Sequence, residues 1–506
     1  MRKEKIFLLF RSWAGWLLGV QIAASVAIAA TSHYSWMNYV RDDFFYYLIV
    51  AQNVASGHGS TFNRIVPTNG YHPLWMLILA AFSLFTTNGT AILIFLGVAC
   101  LIASVACFFW GREILEISGV DRLVSAPLAL WGAVFCCRKF YTGMEVVIAT
   151  PLAFLLILHV LRGKCMATSQ KAFGTGILSS LLMLARLDAG FLVGLLGLGI
   201  MLDREYRQQI SPRRILLFTA GLVPFFVYLA INKIKFGLLL PVSGMAKQLK
   251  PHSKFSWATW RGVIHISNML NKEQLQICFI LATTIVILIA FRRLRGTAKV
   301  VFPAVVLFPV VYFTLLSFLS DWVLSDWYMY VMRPAMCISV AFWFSREPMR
   351  TWSRSALLPA ALIIACPFLL ASNTWNAQNN YYRDTVALQK FAQSNPGIYA
   401  MGDYAGERGY KMERPIIQTE GLMMDRNFLQ KIKQQDNLLS VLHAYHVRYY
   451  IANTKSGYTG CFQAEEPRDT GPASPKMRAV FCQKPVSSLN DPANNFVIFD
   501  LAENDR

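Results

Sequence analysis

The sequence predicts a polytopic α-helical membrane protein of about eleven transmembrane helices, followed by a C-terminal mixed α/β domain outside the membrane. Three observations predict it. Of 506 residues, 55% are hydrophobic and only 15% are charged, against roughly 25% charged in soluble domains. Apolar runs such as residues 91–110 and 300–319 reach the ~20 residues that cross a bilayer core. The basic residues sit in short stretches between such runs, as in "REYRQQISPRR" (204–214), "FRRLRGTAK" (291–299) and "SREPMRTWSR" (345–354).

That last pattern is the positive-inside signature, in which Lys and Arg mark cytoplasmic loops. It accounts for the net charge of +20 without a nucleic-acid partner, because no single basic patch forms. Cytoplasmic loops are read near residues 1–11, 111–122, 162–171, 203–214, 292–299 and 346–354. For all to share one side, the apolar stretch 73–87 must not cross, and its short length suits a re-entrant or interfacial helix. The spans then fall near 7–31, 90–110, 123–137, 143–161, 172–186, 189–202, 215–231, 274–291, 300–319, 327–344 and 356–371. "MRKEK" and the apolar stretch after it read as an uncleaved first helix rather than a signal peptide. The expected location is the inner (plasma) membrane, with the N-terminus cytoplasmic and the C-terminus outside.

Residues 1–371 form the expected membrane domain, with an outer loop at 32–89, and residues 372–506 the outer domain. Within the latter, "NPGIYAMGDY" and "VRYYIANT" read as strands, "DTVALQKFAQ" and "DRNFLQKIKQQ" as helices. Eight of ten cysteines lie in or beside membrane helices, where a thiol acts as a small hydrophobe. Cys461 and Cys482 lie in the outer domain, where a disulfide is permitted but sequence spacing alone does not decide it.

Polar residues collect in the outward loops. "RDDFFYYLIVAQNVASGHG" (41–59) reads as a helix opened by Asp42 and Asp43 and stopped at Gly57. One acid suffices for a cap, so its neighbour needs another purpose. Asp42, Tyr46, Ile49 and Asn53 share one stripe, and Phe44, Leu48 and Ala51 another, which suits a helix at the lipid headgroups. "TNGYHPLW" (68–75) supplies His72 before Pro73, and "RKFYTGME" (138–145) supplies Arg138, Lys139 and Glu145. Glu145 reads equally as the last residue of a T-x-x-E capping box. "ARLDAG" brings Arg186 and Asp188 to a hairpin tip, and "KFGLLLPVSGMAK" brings Lys235 and Lys247. Carboxylates can take a proton from a hydroxyl; Arg and Lys can stabilise a departing phosphate; interfacial helices can admit a lipid. A sugar carried on a lipid phosphate and moved to a hydroxyl uses all three.

The loop motifs resemble those of the GT-C superfamily of polyprenyl-phosphate-sugar glycosyltransferases. Residues 41–59 are similar to the first outer loop of bacterial arabinofuranosyltransferases. Lipid A aminoarabinose transferases and protein O-mannosyltransferases carry a similar acid pair. "TNGYHPLW", "TGMEVVIATPL" and "FGLLLPVSGMAK" are similar to later elements, and "GDYAGERGY" and "TEGLMMD" to outer-domain ones. Tyr71-His72-Pro73-Leu74 departs from the acid–base pair and double proline of the lipid A transferases, which argues against aminoarabinose as the sugar.

The resemblance implies inverting transfer with Asp42 as general base, and Asp43 and Glu145 as secondary acids. It implies Arg138, Lys139, Arg186 and Lys247 as phosphate ligands, with His72 and Tyr46 in the substrate site. Asp42, Asp43, Glu145 and His72 would be the ligands of a divalent ion, which some relatives use and others do not. The implied partners are a polyprenyl-phosphate-linked sugar, membrane lipid, and a hydroxyl acceptor on an envelope glycan, glycolipid or protein. A lipid or polysaccharide transporter is the rival class. It would not need so large an outer domain, and the internal repeats common in transporters are not seen.

Overall fold

The computed structural model describes residues 19–27, 29–31, 36–163, 165–250, 255–257, 259–260, 272–322, 324–346, 382–454, 460–468, 470–471, 474–490 and 495–502. The beginning of the first expected span, the last one at 356–371 and the domain boundary at 371–372 lie outside the described residues.

Helix α1 is Asp42–Ala55, with both acids in its first turn, where the helix dipole favours negative charge. Neither caps its own helix: the N-cap is Arg41, and no side chain bonds there. The helix stops as expected, with Gly57 at φ +81° just past it. Helix α2, Pro73–Ser83, follows His72 in extended backbone, which a proline demands of the residue before it. Its 11 residues span about 16 Å, too short to cross the ~30 Å core. Helix α3, Gly89–Ile117, starts where the Asn88 side chain accepts from the N–H groups of Thr90 and Ala91.

The chain continues through α4 (Arg122–Phe140), α5 (Val146–Leu161), α6 (Ser169–Ala185) and α7 (Gly190–Leu202). Then come α8 (Pro212–Gly221), α9 (Val223–Phe236), α10 (Lys272–Ile289), α11 (Thr297–Leu319) and α12 (Met332–Phe344). Among the described residues, α3 and α11 are long and apolar enough to cross a membrane. The pair α8–α9, bent by 51°, adds a third if it is one span. Among the described residues the expected count of about eleven is not reached by helix length, because several expected spans break early. The stretch 327–344 divides into a 3-10 turn, Asp326–Val331, and the 13-residue α12. Likewise α7 has 13 residues before the Asp203 side chain caps a short helical turn.

Helix α1 departs from expectation in its setting. Phe44 to Leu48 are buried without interruption, as is Asn53 on the polar stripe. It packs between α2 and a helix of the C-terminal α/β region, so most of both stripes is covered by protein.

The C-terminal α/β region comprises α13 (Tyr382–Ser394), α14 (Ala405–Met412), α15 (Arg426–Gln434) and α16 (Leu438–Ala444) around strands β1 (Ile398–Met401), β2 (Ile416–Gln418), β3 (Val447–Thr454), β4 (Phe462–Glu466), β5 (Met477–Phe481), β6 (Ser487–Asn490) and β7 (Asn495–Asp500). The four segments assigned from sequence all form as expected. The main sheet runs β2-β1-β3-β7-β6, with β1 parallel to both neighbours and β7 antiparallel to both of its own. Phe462 of β4 lies opposite Phe481 of β5. That register puts Cys461 beside Cys482, and they form a disulfide.

Cysteine labelling tests the sidedness. Gln208→Cys and Arg295→Cys, at exposed sites, are expected to react only from the cytoplasmic side. His58→Cys and Arg478→Cys, also exposed, are expected to react only from outside. Labelling of residue 295 from outside would place 73–87 across the membrane and scatter the loop acids over both faces.

Candidate active site

The loops singled out in the sequence converge on a cavity of about 370 Å³. Asp43, Tyr46 and Tyr47 reach it from α1, His72 from the turn before α2, and Glu145 from the turn before α5. Arg186 and Asp188 come from the α6–α7 junction, Lys247 from the end of the short helix Val242–Ala246, and Tyr328 from the 3-10 turn before α12.

At its centre lies a buried ion network. Arg186, 2% exposed, pairs through Nη1 with Glu145 Oε1 and through Nη2 with Asp188 Oδ2 at 2.6 Å. A charge so far from water is tolerable only when paired, and here two carboxylates share one guanidinium. Tyr hydroxyls complete them. Tyr47 donates to Glu145 Oε2 at 3.0 Å. Tyr312 and Tyr330 donate to the two Asp188 oxygens at 2.8 and 2.7 Å. The Glu145 side chain makes no cap bond to α5, so the capping-box reading fails. Its oxygens are taken up by Arg186 and Tyr47.

Lys247 has different company. Its Nζ donates to the hydroxyl of Tyr328 at 2.8 Å and stands 5.3 and 5.7 Å from the ring centres of Tyr328 and Trp322, within cation–π range. Burial presses this ammonium toward the neutral form, but Tyr328 and Asp43 outweigh it and hold its pKa above the ordinary value. His72 is pulled the other way, its pKa lowered mainly by burial. Its Nδ1 accepts from the Leu187 N–H at 3.4 Å, tying the α2 turn to the α6–α7 junction.

The structure separates the acid pair. Asp43 lines the cavity and Asp42 does not. Burial, with Asp42 and Glu145 nearby, pushes the Asp43 carboxyl up to about 7 although Lys247 opposes it. Asp42 instead accepts at Oδ1 from the backbone N–H of Glu407, at 2.7 Å. The two acids therefore have different surroundings, Asp43 at the cavity and Asp42 against the backbone of a distant helix. The side chains of Arg138 and Lys139, at the end of α4, lie outside the described residues, and Lys235 is exposed on α9.

The metal set read from the sequence does not assemble. Among the described residues, no three of His, Cys, Asp and Glu gather closely enough to hold an ion. Glu145 is engaged by Arg186 and Tyr47, Asp42 by Glu407, and His72 Nε2 lies 3.9 Å from Glu145. No step is derived through a metal.

Sequence reasoning missed Tyr47, Tyr312, Tyr328 and Tyr330. Tyr47 was in view inside the first-loop motif, and the alternating "WYMY" at 327–330 is a signal in retrospect. Tyr312 sits within an apolar run and carried none.

No protein-family profile and no curated protein matches the sequence. Solved structures do match the fold. The oligosaccharyltransferase AglB from Archaeoglobus fulgidus, in complex with an inhibitory peptide and a dolichol-phosphate, has a TM-score of 0.55 at 10% identity, over 97% of this chain and 76% of that one. An Archaeoglobus fulgidus oligosaccharyltransferase in the apo form gives 0.56 at 9% identity, over 96% of this chain and 76% of that one. ArnT from Cupriavidus metallidurans, bound to undecaprenyl phosphate, gives 0.53 at 12% identity, over 96% of this chain and 98% of that one. At these identities the likeness is one of fold.

Proposed function

We propose that this chain is a membrane glycosyltransferase that moves a sugar from a polyprenyl-phosphate donor to a hydroxyl acceptor on the outer side of the membrane. The observation that carries this reading is the mixed lining of the cavity, where Asp43, Arg186 and Lys247 stand with Phe191, Leu240, Leu315, Leu316 and Leu319. A polar head on an apolar chain matches both kinds of wall. The lipid phosphates bound by the fold neighbours supply the donor class.

In this reading the acceptor oxygen attacks the anomeric carbon while the bond from that carbon to the phosphate oxygen breaks. The bonding pair leaves with the phosphate, and Asp43 takes the acceptor proton. One displacement inverts the anomeric configuration. Lys247 is the cation for the leaving phosphate, since both carboxylates beside Arg186 already compete for that guanidinium. Arg186 then serves chiefly to hold Glu145 and Asp188 in place. The acceptor belongs to an envelope glycan, a glycolipid or a protein.

Loss of the gene is expected to remove one sugar from a cell-envelope component, read by mass spectrometry of glycans, lipids and glycoproteins. An unchanged envelope under expressing conditions would count against the proposal. Lys247→Ala is expected to raise the donor KM roughly 10- to 100-fold, since a hydrogen bond to a charged group contributes about 1.5–3 kcal/mol. Lys247→Arg keeps the charge and should recover part of it. A donor KM unchanged in Lys247→Ala would move the phosphate site elsewhere.

A further inference from the structure

We infer that the outer domain is part of the active site: helix α14 docks on Asp42 and thereby positions Asp43. This rests on Asp43 being the base, as proposed above. It assigns Asp42 a positioning role and gives the outer domain a mechanical one.

Asp42 opens α1 without capping it. Its carboxylate reaches instead to the first turn of a helix 365 residues away, where Oδ1 accepts the Glu407 N–H. The N-terminal amides of a helix lack partners within their own helix, so Asp42 supplies from α1 the cap that α14 does not find locally. Tyr404, the residue before α14, has left-handed backbone and makes no side-chain cap bond.

The contact is close-packed. A Cβ on Gly406 would lie 2.4 Å from the Asp42 carbonyl oxygen and 3.1 Å from its Oδ1, so a side chain there would force the two helices apart. Arg408, fully buried one turn along, brings its charge to bear on Asp42 and lays its guanidinium 4.1 Å over the Phe496 ring of β7. The guanidinium thus links Asp42 to the domain's main sheet.

Asp43 is the next residue on α1, about 100° further round, and faces the cavity. Whatever turns Asp42 turns Asp43. The same domain also closes the cavity wall through Leu422 and Met423. Docking of α14 therefore sets the rotation of α1 and completes the cavity together.

The test uses the full-length protein, purified in detergent and assayed for sugar transfer from lipid-phosphate donors. Asn caps a helix as well as Asp, so Asp42→Asn keeps the acceptor for Glu407 N–H, whereas Asp42→Ala removes it. The expected result is a kcat within about tenfold of the parent for Asp42→Asn. For Asp42→Ala and Gly406→Ala, kcat should fall a further tenfold or more, with donor KM within twofold of the parent in all three. A merely structural loss would lower the active fraction in proportion to folded protein; kcat is therefore referred to the monodisperse folded fraction. Equal losses in Asp42→Asn and Asp42→Ala would overturn the inference, since the charge and not the cap would then matter. So would full kcat in both Asp42→Ala and Gly406→Ala. Either result alongside an inactive Asp43→Asn defeats the positioning role alone; an active Asp43→Asn defeats the reading beneath it.

Discussion

Asp43→Asn is expected to lower kcat by about 10²–10⁴-fold, the usual contribution of a general base, while leaving the fold intact. Asn is nearly isosteric, and losing a carboxylate that burial already pushes toward neutrality removes little stability. The same assignment fixes a pH dependence. The Asp43 pKa is raised to about 7, and the base must be unprotonated. Activity should therefore rise with pH through about 7 and fall roughly tenfold per pH unit below it. A pH–kcat profile of the parent enzyme between pH 5 and 9, assay limits chosen about that midpoint, checks the sign. A profile flat through this range, or full turnover by Asp43→Asn, would remove Asp43 from the chemistry.

Arg186→Met is the substitution expected to destabilise most. It leaves Glu145 and Asp188 buried without their cation, and breaking a buried ion network from one side costs about 3–5 kcal/mol. Arg186→Lys should recover only part of this, because one ammonium cannot reproduce the fork that serves both carboxylates. Adding Glu145→Gln to Arg186→Met should regain stability, since the two residues share one interaction. Thermal unfolding of each variant in detergent, followed by intrinsic fluorescence, gives the ordering. A parent-like midpoint for Arg186→Met would mean that the network does not hold the loops together.

Much of this arrangement was legible in the sequence because it is local. Pro73 after His72 marks the start of α2, and the brevity of the apolar stretch 73–87 suits a helix that does not cross. The outer-domain elements follow from short-range periodicity and turn residues. What was not legible depends on pairings between distant segments. Nothing near Asp42 shows that its partner is Glu407, so the sequence reading that made Asp42 the base and Asp43 its helper had no sign that Asp43, and not Asp42, lines the cavity. The capping-box pattern at Thr142–Glu145 is a local signal overridden by a distant one, Arg186. The disulfide was undecided for the same reason, since it follows from the β4–β5 register. Helix length misled in the other direction: apolar runs were continuous where the backbone breaks, as at Asp326–Val331, and that break carries Tyr328 and Tyr330 to the cavity.

The most direct measurement of the central claim is transfer by the purified protein, reconstituted in liposomes, from a panel of labelled polyprenyl-phosphate sugars to hydroxyl acceptors. The account predicts cleavage of the sugar–phosphate bond, one free lipid phosphate for each sugar transferred, a product of inverted anomeric configuration, and loss of all three in Asp43→Asn. Movement of an intact lipid-linked sugar across the bilayer, with no bond cleaved under any pairing of donor and acceptor, would contradict it and identify a transporter built on the same fold.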